Sequence, residues 1–223
     1  MTPPTVSAMT PVIRDRSFIS PEYVALPHYA PDMADFDVRP LDESTWPAFA
    51  EVVGRHNGVW GGCWCMGFHA EGVGRDTTSE LNRERKLLRV QQGRTHAALV
   101  FDQDTCVGWC QFGSVEELPR IKAKRAYEAG PSTGATWRIT CFFVDAKSRR
   151  KGVAARALEG VLDEIARLGG GTVESFPEDT TDRKVSSSFL HNGTTALFEQ
   201  HGFERSRRIG KDRWLVTKAV QPR

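Results

Sequence analysis

Apolar positions along the chain fall into two rhythms, one of period two and one near 3.6, and their succession predicts alternating strands and helices. A short run at 36–40 reads as a strand. Asp42 or Ser44 then offers a cap for a helix whose apolar face is Trp46, Phe49, Val52 and Val53. A loop rich in Gly, Trp and Cys occupies 59–68. Thr77 and Glu80 have the spacing of a capping box, which opens a polar helix over 79–92 that Gly93 ends. The segments 96–101 and 106–112 are strand patterns joined by Asp102-Gln103-Asp104, a hairpin. A helix is expected over 120–128. The unbroken apolar run at 136–144 suits a strand at the centre of a sheet. Over 153–168, Ala154, Leu158, Val161, Leu162 and Ile165 share one helical face, and three glycines at 169–171 stop the helix. A strand at 172–176, a short helix at 194–201 and a hairpin of 203–208 with 213–216 complete the order. Strands separated by helices predict a mixed α/β sheet flanked by helices.

Residues 1–35 break this rhythm. They carry Pro3, Pro4, Pro11, Pro21, Pro27 and Pro31 and read as an arm or tail, which leaves 36–223 as one domain. Hydrophobic residues at 39% and charged residues at 26% describe an ordinary soluble globular protein. A net charge of +2 gives no footprint for nucleic acid or a membrane surface. No apolar run reaches membrane-spanning length, and the N-terminus lacks the form of a secretory signal. Five cysteines, an odd number, point to reduced thiols and a cytoplasmic location.

The stretch with most chemical content is Phe142-Phe143-Val144-Asp145-Ala146-Lys147-Ser148-Arg149-Arg150-Lys151-Gly152-Val153-Ala154. A buried strand ends at Val144, a basic turn follows, and a helix begins near Gly152. A helix N-terminus presents unpaired N–H groups and the positive end of its dipole, which suits an anion. Gly152 and Ala154 leave room for phosphate oxygens at the backbone, and Arg149, Arg150 and Lys151 add charge. Taken alone, the pattern also fits an ordinary strand–turn–helix with solvated basic residues.

Arg149-x-x-Gly152-x-Ala154 after an apolar strand resembles the Arg/Gln-x-x-Gly-x-Gly/Ala signature of the GNAT superfamily of N-acetyltransferases. Leu197-Phe198-Glu199-Gln200-His201-Gly202-Phe203 resembles that family's second marker, and the element order from 36 to 216 is similar throughout. Gly62-Cys63-Trp64-Cys65-Met66, Val107-Gly108-Trp109 and Val173-Glu174-Ser175-Phe176-Pro177 look like an uncharacterised bacterial branch of it. The resemblance implies a central, mostly antiparallel sheet splayed between the strand ending at Val144 and the strand at 172–176. Pantetheine of acetyl-CoA would lie in the gap. Phe142, Phe143 and Val144 would face it with backbone groups, an N–H near Phe142 would polarise the thioester, and Arg149, Arg150, Lys151, Gly152, Val153 and Ala154 would hold the pyrophosphate. An amine acceptor would attack directly, with neither nucleic acid nor membrane as partner, and a homodimer stays open. The family's second marker often carries a Tyr where this chain has Phe198, which has no proton to give a departing thiolate.

Other residues divide between chemistry and packing. Glu174 sits in a strand between apolar neighbours, as a base or as a structural hydrogen-bonding group. His191, just before the second marker, is a second candidate base or an exposed loop histidine. Trp60, Trp64 and Phe68 read as an aromatic wall for an acceptor or as loop core. Cys63 and Cys65, with His69 and Cys106 or Cys110, lack a standard zinc spacing, so no metal is expected. An N-acetyltransferase acting on a small-molecule amine is the expected function. A non-catalytic CoA-binding sensor of the same fold is the alternative, and an interaction domain without CoA a third.

Overall fold

The computed structural model describes residues 36–223 apart from Trp60. The proline-bearing stretch at 1–35 lies outside the described residues. Strand β1 (Asp37–Pro40) leads to helix α1 (Trp46–Gly54), whose buried stripe is Trp46, Phe49, Val52 and Val53, as its periodicity requires. The Asp42 side chain accepts from the Ser44 and Thr45 amides and tightens the entry to α1. Helix α2 (Ser79–Gln91) is capped by Thr78, whose hydroxyl accepts from the Leu81 amide, and not by Thr77. Thr77 instead closes the preceding turn onto Gly74. Gly93 ends α2 at φ +62°.

Strands β2 (His96–Asp102) and β3 (Thr105–Ser114) form the expected hairpin, with Gln103 at φ +55° in its turn. The helix expected over 120–128 is reduced to α3 (Lys124–Glu128). Ala123 adopts a left-handed conformation, φ +58°, which a right-handed helix cannot include, so 120–122 stay irregular. Strand β4 (Trp137–Val144), helix α4 (Val153–Arg167) and strand β5 (Gly171–Ser175) form a crossover unit. Helix α5 (Thr195–Gln200), β6 (Glu204–Arg208) and β7 (Trp214–Val220) close the order.

The seven strands lie in the order β1-β2-β3-β4-β5-β7-β6, antiparallel except for the β4–β5 pair that α4 connects. Alternation along β2 divides the core. Ala98 and Val100 face α4, while Ala97, Leu99 and Phe101 face α1. On the α4 side, Val153, Ala157, Val161 and Ile165 run along the helix at helical spacing. Gly160 lets α4 lie close to β1, because a Cβ there would come within 2.4 Å of Val38. Phe198 and Phe203 join the same core from α5 and the start of β6.

The parallel ladder between β4 and β5 covers only Trp137↔Val173, Arg138↔Glu174 and Ile139↔Ser175. At the next residue the β3–β4 register shifts: Gln111 pairs with Cys141 and Phe112 with Ile139, leaving Thr140 as a bulge. A bulge bends its strand. Here it bends β4 away from β5 where their pairing stops, and the sheet splays from Thr140 to Val144. The segment 187–193 enters this gap. Asn192 Nδ2 donates to the Thr140 carbonyl at 2.5 Å, and the Phe142 amide donates to the His191 carbonyl at 2.7 Å.

Candidate functional site

Beyond Val144 the chain makes two reversals. Asp145 accepts from the Lys147 amide at 3.2 Å and starts a 3₁₀ turn, Ala146–Ser148. Arg150 at φ +62° and Gly152 at φ +86° then turn the backbone into α4. Glycine suits the second position because a left-handed residue with a Cβ costs roughly 1–2 kcal/mol. No side chain caps α4, so the amides of its first turn lack intrahelical acceptors and lie open to an anion. Gly108 on β3 sets how close this terminus sits. A Cβ there would lie 2.7 Å from the Phe143 carbonyl oxygen and 2.8 Å from Val153 Cγ1.

Arg149 spans the opening of the splay. Its Nε donates to the Val144 carbonyl at 3.3 Å and its Nη1 to Ser187 Oγ at 3.2 Å. Arg150 and Lys151 are exposed. Among the described residues, no carboxylate forms an ion pair with any of these three cations. The turn therefore presents concentrated positive charge without internal compensation, beside the open amides of α4.

Two cavities adjoin the splay. The smaller, about 300 Å³, lies between Phe142, Phe143 and Val144 on one wall and Leu190, Gly193 and Leu197 on the other, with Arg149 and Ala154 at its end. The larger, about 620 Å³, is lined by Cys63, Cys65, Phe68, Val73, Arg120, Ile121, Lys122, Cys141, Phe189 and His191, among others. The two share their dividing walls. On β4, Cys141 lines the larger cavity and Phe142 the smaller. On the 187–194 segment, Phe189 and His191 line the larger while Leu190 and Gly193 line the smaller. A molecule in one can thus approach a molecule in the other across Cys141–Phe142 and His191.

The residues singled out in the sequence separate accordingly. Phe142, Phe143, Val144, Arg149 and Ala154 line the smaller cavity, beside the turn of Arg150, Lys151, Gly152 and Val153. His191 and Phe68 line the larger, with ring centroids 6.2 Å apart. Trp64 does not serve as a cavity wall: it is buried, stacks on Trp46 at 6.0 Å and donates to Ser79 Oγ at 3.0 Å. Trp60 lies outside the described residues.

Glu174 also has a different place from that of a base. It is fully buried and accepts from Arg138 Nη2 at 2.6 Å, Arg138 Nε at 2.8 Å, Thr133 Oγ1 at 2.8 Å and the Tyr127 hydroxyl at 3.1 Å. It lines neither cavity. Arg138 continues the link to the Leu118 carbonyl at 2.7 Å. Glu174 and Arg138 thus tie the excursion between β3 and β4 to the sheet. The expectation for the thioester changes too, since the Phe142 amide is already engaged by the His191 carbonyl.

Several residues at the site were not foreseen. Cys141 joins Cys63 and Cys65 on the larger cavity. All five cysteines are free thiols. A hydrogen bond with Cys65 and burial push the Cys63 thiol up, and burial does the same to Cys65, so these two thiols are uncharged at neutral pH. Among the described residues, no group of three His, Cys, Asp or Glu side chains is arranged to hold a metal ion. Behind the wall, Lys86 is buried and donates to Thr95 Oγ1 at 2.7 Å and Gln111 Oε1 at 2.8 Å; desolvation lowers its pKa to about 8. His69, also buried, has Nδ1 3.2 Å from the Glu117 carbonyl and Nε2 3.3 Å from Thr95 Oγ1; desolvation lowers its pKa to about 2. Polar spacing at Lys86 matches an exposed helix face, and nothing local in the sequence marks it as interior.

A family model described as acetyltransferase (GNAT) family matches residues 64–203. The chain is similar to a solved N-acetyltransferase from Staphylococcus aureus Mu50, with 14% identity, 84% of this chain and 98% of that chain covered, and a TM-score of 0.48. It is similar also to the ribosomal-protein-S18-alanine N-acetyltransferase from Escherichia coli, with 13% identity, coverage of 83% and 94%, and a TM-score of 0.46. A mosquito arylalkylamine N-acetyltransferase like 5b gives 13% identity, coverage of 83% and 100%, and a TM-score of 0.49. No curated protein matches the chain.

Proposed function

The chain belongs to the acetyltransferase (GNAT) family, and on that premise we propose that it is an acetyl-CoA-dependent N-acetyltransferase acting on a primary amine of a small molecule. The observation that carries this reading is the meeting of two cavities at the break between β4 and β5, with an uncapped helix terminus and three uncompensated cations at the end of the smaller one. The α4 amides, Arg149, Arg150 and Lys151 hold the pyrophosphate. The exposed edge of β4 at Phe142–Val144 lies along pantetheine. The larger cavity receives the acceptor amine.

In the transfer, the amine nitrogen forms a bond to the acetyl carbon and the carbon–sulfur bond breaks. One proton leaves the amine nitrogen, and the thiolate takes one up from solvent. Holding both reactants across one shared wall supplies the larger part of the acceleration. His191, whose ring lines the acceptor cavity at that wall, is the candidate base; such a group typically contributes about 10²–10⁴-fold. The Phe142 amide becomes a donor to the thioester oxygen when the His191 carbonyl gives it up. A thiol of pKa about 8.5 leaves tolerably without a dedicated acid, so Phe198 does not forbid turnover.

Two observations favour the non-catalytic CoA sensor as the second reading: the engaged Phe142 amide and the hydroxyl-free, buried Phe198. Release of free CoA in the presence of an amine separates it from an enzyme. Ala154→Glu tests the site common to both. Glutamate suits the first turn of a helix, its carboxylate stands where phosphate must sit, and a thermal scan without ligand checks that the variant, altered at the half-buried Ala154, is folded. Acetyl-CoA at 100 times its dissociation constant is expected to stabilise the wild type by about 2.7 kcal/mol and the variant not at all. Calorimetry showing equal affinity in both would place the cofactor elsewhere.

A further inference from the structure

The larger cavity carries a charge pattern that narrows the acceptor. Arg120 and Lys122 line it, the Cys63 and Cys65 thiols on its wall are uncharged, and no carboxylate lines it. The backbone of Arg120 is held in place, and its side chain is exposed. Its amide donates to the Phe68 carbonyl at 3.1 Å, joining two sides of the cavity. Its guanidinium lies flat on Gly72, where a Cβ would come within 2.5 Å of Cζ. Gly72 is at φ +64°, so the backbone calls for glycine there. Among the described residues, neither Arg120 nor Lys122 is in a close ion pair; Glu178 acts on Lys122 from farther off, opposed by Arg213. The remaining wall, with Phe68, Val73 and Ile121, is apolar.

A plain alkylammonium would enter this cavity against two cations and find no carboxylate on its lining. We propose that the acceptor is an amine that also carries a carboxylate, an amino acid with an apolar or aromatic side chain. The carboxylate pairs with Arg120 and Lys122, a guanidinium being suited to grip both oxygens. The side chain lies on Phe68, Val73 and Ile121, and the amine points to the shared wall at His191. The same cations favour the uncharged form of the amine, which is the form that attacks. This inference rests on the acetyltransferase reading.

The test uses matched pairs, phenylalanine with phenethylamine and leucine with isoamylamine, and adds spermidine as a polycation. CoA release from acetyl-CoA gives kcat and KM. Calorimetry of each amine with the protein–CoA complex gives binding without turnover. In the wild type, each amino acid is expected to exceed its decarboxylated partner at least tenfold in kcat/KM. Arg120→Ala is expected to remove about tenfold to hundredfold of that advantage, mainly through KM, while the decarboxylated amines, relieved of one repelling cation, hold or gain. Acetyl-CoA affinity of Arg120→Ala, measured in parallel, should equal that of the wild type.

Equal or better use of phenethylamine, or equal losses for both members of a pair in Arg120→Ala, would overturn the proposal while leaving the acetyltransferase intact. CoA binding without any binding or turnover of the amino acids would overturn it as well. A wild type that does not bind acetyl-CoA at all fails the parent reading instead, and the two failures are thereby told apart.

Discussion

Replacing Glu174 with Gln decides between a structural and a chemical carboxylate. Glu174 is fully buried and its partner Arg138 is 5% exposed in the side chain, so water screens the pair very little. The amide of Gln retains one oxygen for the two Arg138 donors, and the Tyr127 and Thr133 hydroxyls can turn to accept from its NH₂ group. What it cannot retain is the charge. Removing one member of a buried pair typically costs about 3–5 kcal/mol, because the other charge is left uncompensated. The preserved hydrogen bonds place Glu174→Gln near the lower end, about 3 kcal/mol. In a domain of this size each kcal/mol lowers Tm by roughly 2–4 °C, so a fall of about 6–12 °C is expected. Urea unfolding and thermal scans measure it, and the double replacement Arg138→Met with Glu174→Leu should recover most of the loss, since apolar isosteres of buried pairs are often neutral or stabilising. At a temperature where the variant is folded, kcat with an accepted amine should stay within about tenfold of wild type. A Glu174→Gln protein stable to within about 1 kcal/mol of wild type, but 10²–10⁴-fold slower, would refute the reasoning and return Glu174 to the role of base.

Two further outcomes follow from buried groups. His69 has a pKa of about 2 when folded against 6.5 for the free side chain. Below pH 6.5 the unfolded chain therefore binds a proton that the folded chain refuses, and stability should fall by about 1.4 kcal/mol per pH unit from this group. Urea unfolding between pH 7 and 4.5 should show a shallower decline in His69→Gln, and parallel declines would exclude His69 as the cause. Phe198 is fully buried, edge-on to Phe142 at 5.9 Å and to Phe203 at 4.9 Å. Phe198→Tyr should cost about 1–3 kcal/mol for a hydroxyl without a partner and change kcat by less than about tenfold. A larger rise in kcat would show that protonation of the thiolate limits the rate.

Local physics made much of this protein legible. The stripe Trp46, Phe49, Val52 and Val53 predicts α1 because helical periodicity and burial coincide there, and the buried run of β4 stands at mid-sheet for the same reason. Val144 and Val153 bracket a turn whose basic residues and left-handed glycine are all neighbours in sequence, so the uncapped, basic start of α4 was readable without the fold. Contacts between distant segments were not. Glu174 stayed open between a base and a structural group because Arg138 lies 36 residues away and meets it only through the β4–β5 register. The bulge at Thr140 that opens the splay depends on how β3 and β4 count against each other, which neither strand encodes alone. Arg120 and Lys122 fell inside an expected helix, and Ala123, a residue of high helix propensity, gave no warning of its left-handed turn. Trp64 could equally have been wall or core until Trp46 and Ser79 closed around it. The sequence by itself therefore determined most of the elements and the basic turn before α4, whose causes lie within a few residues of one another. Tertiary structure decided which charges are neutralised and which face the larger cavity, because neutralisation depends on partners that only the folded chain brings within hydrogen-bond reach.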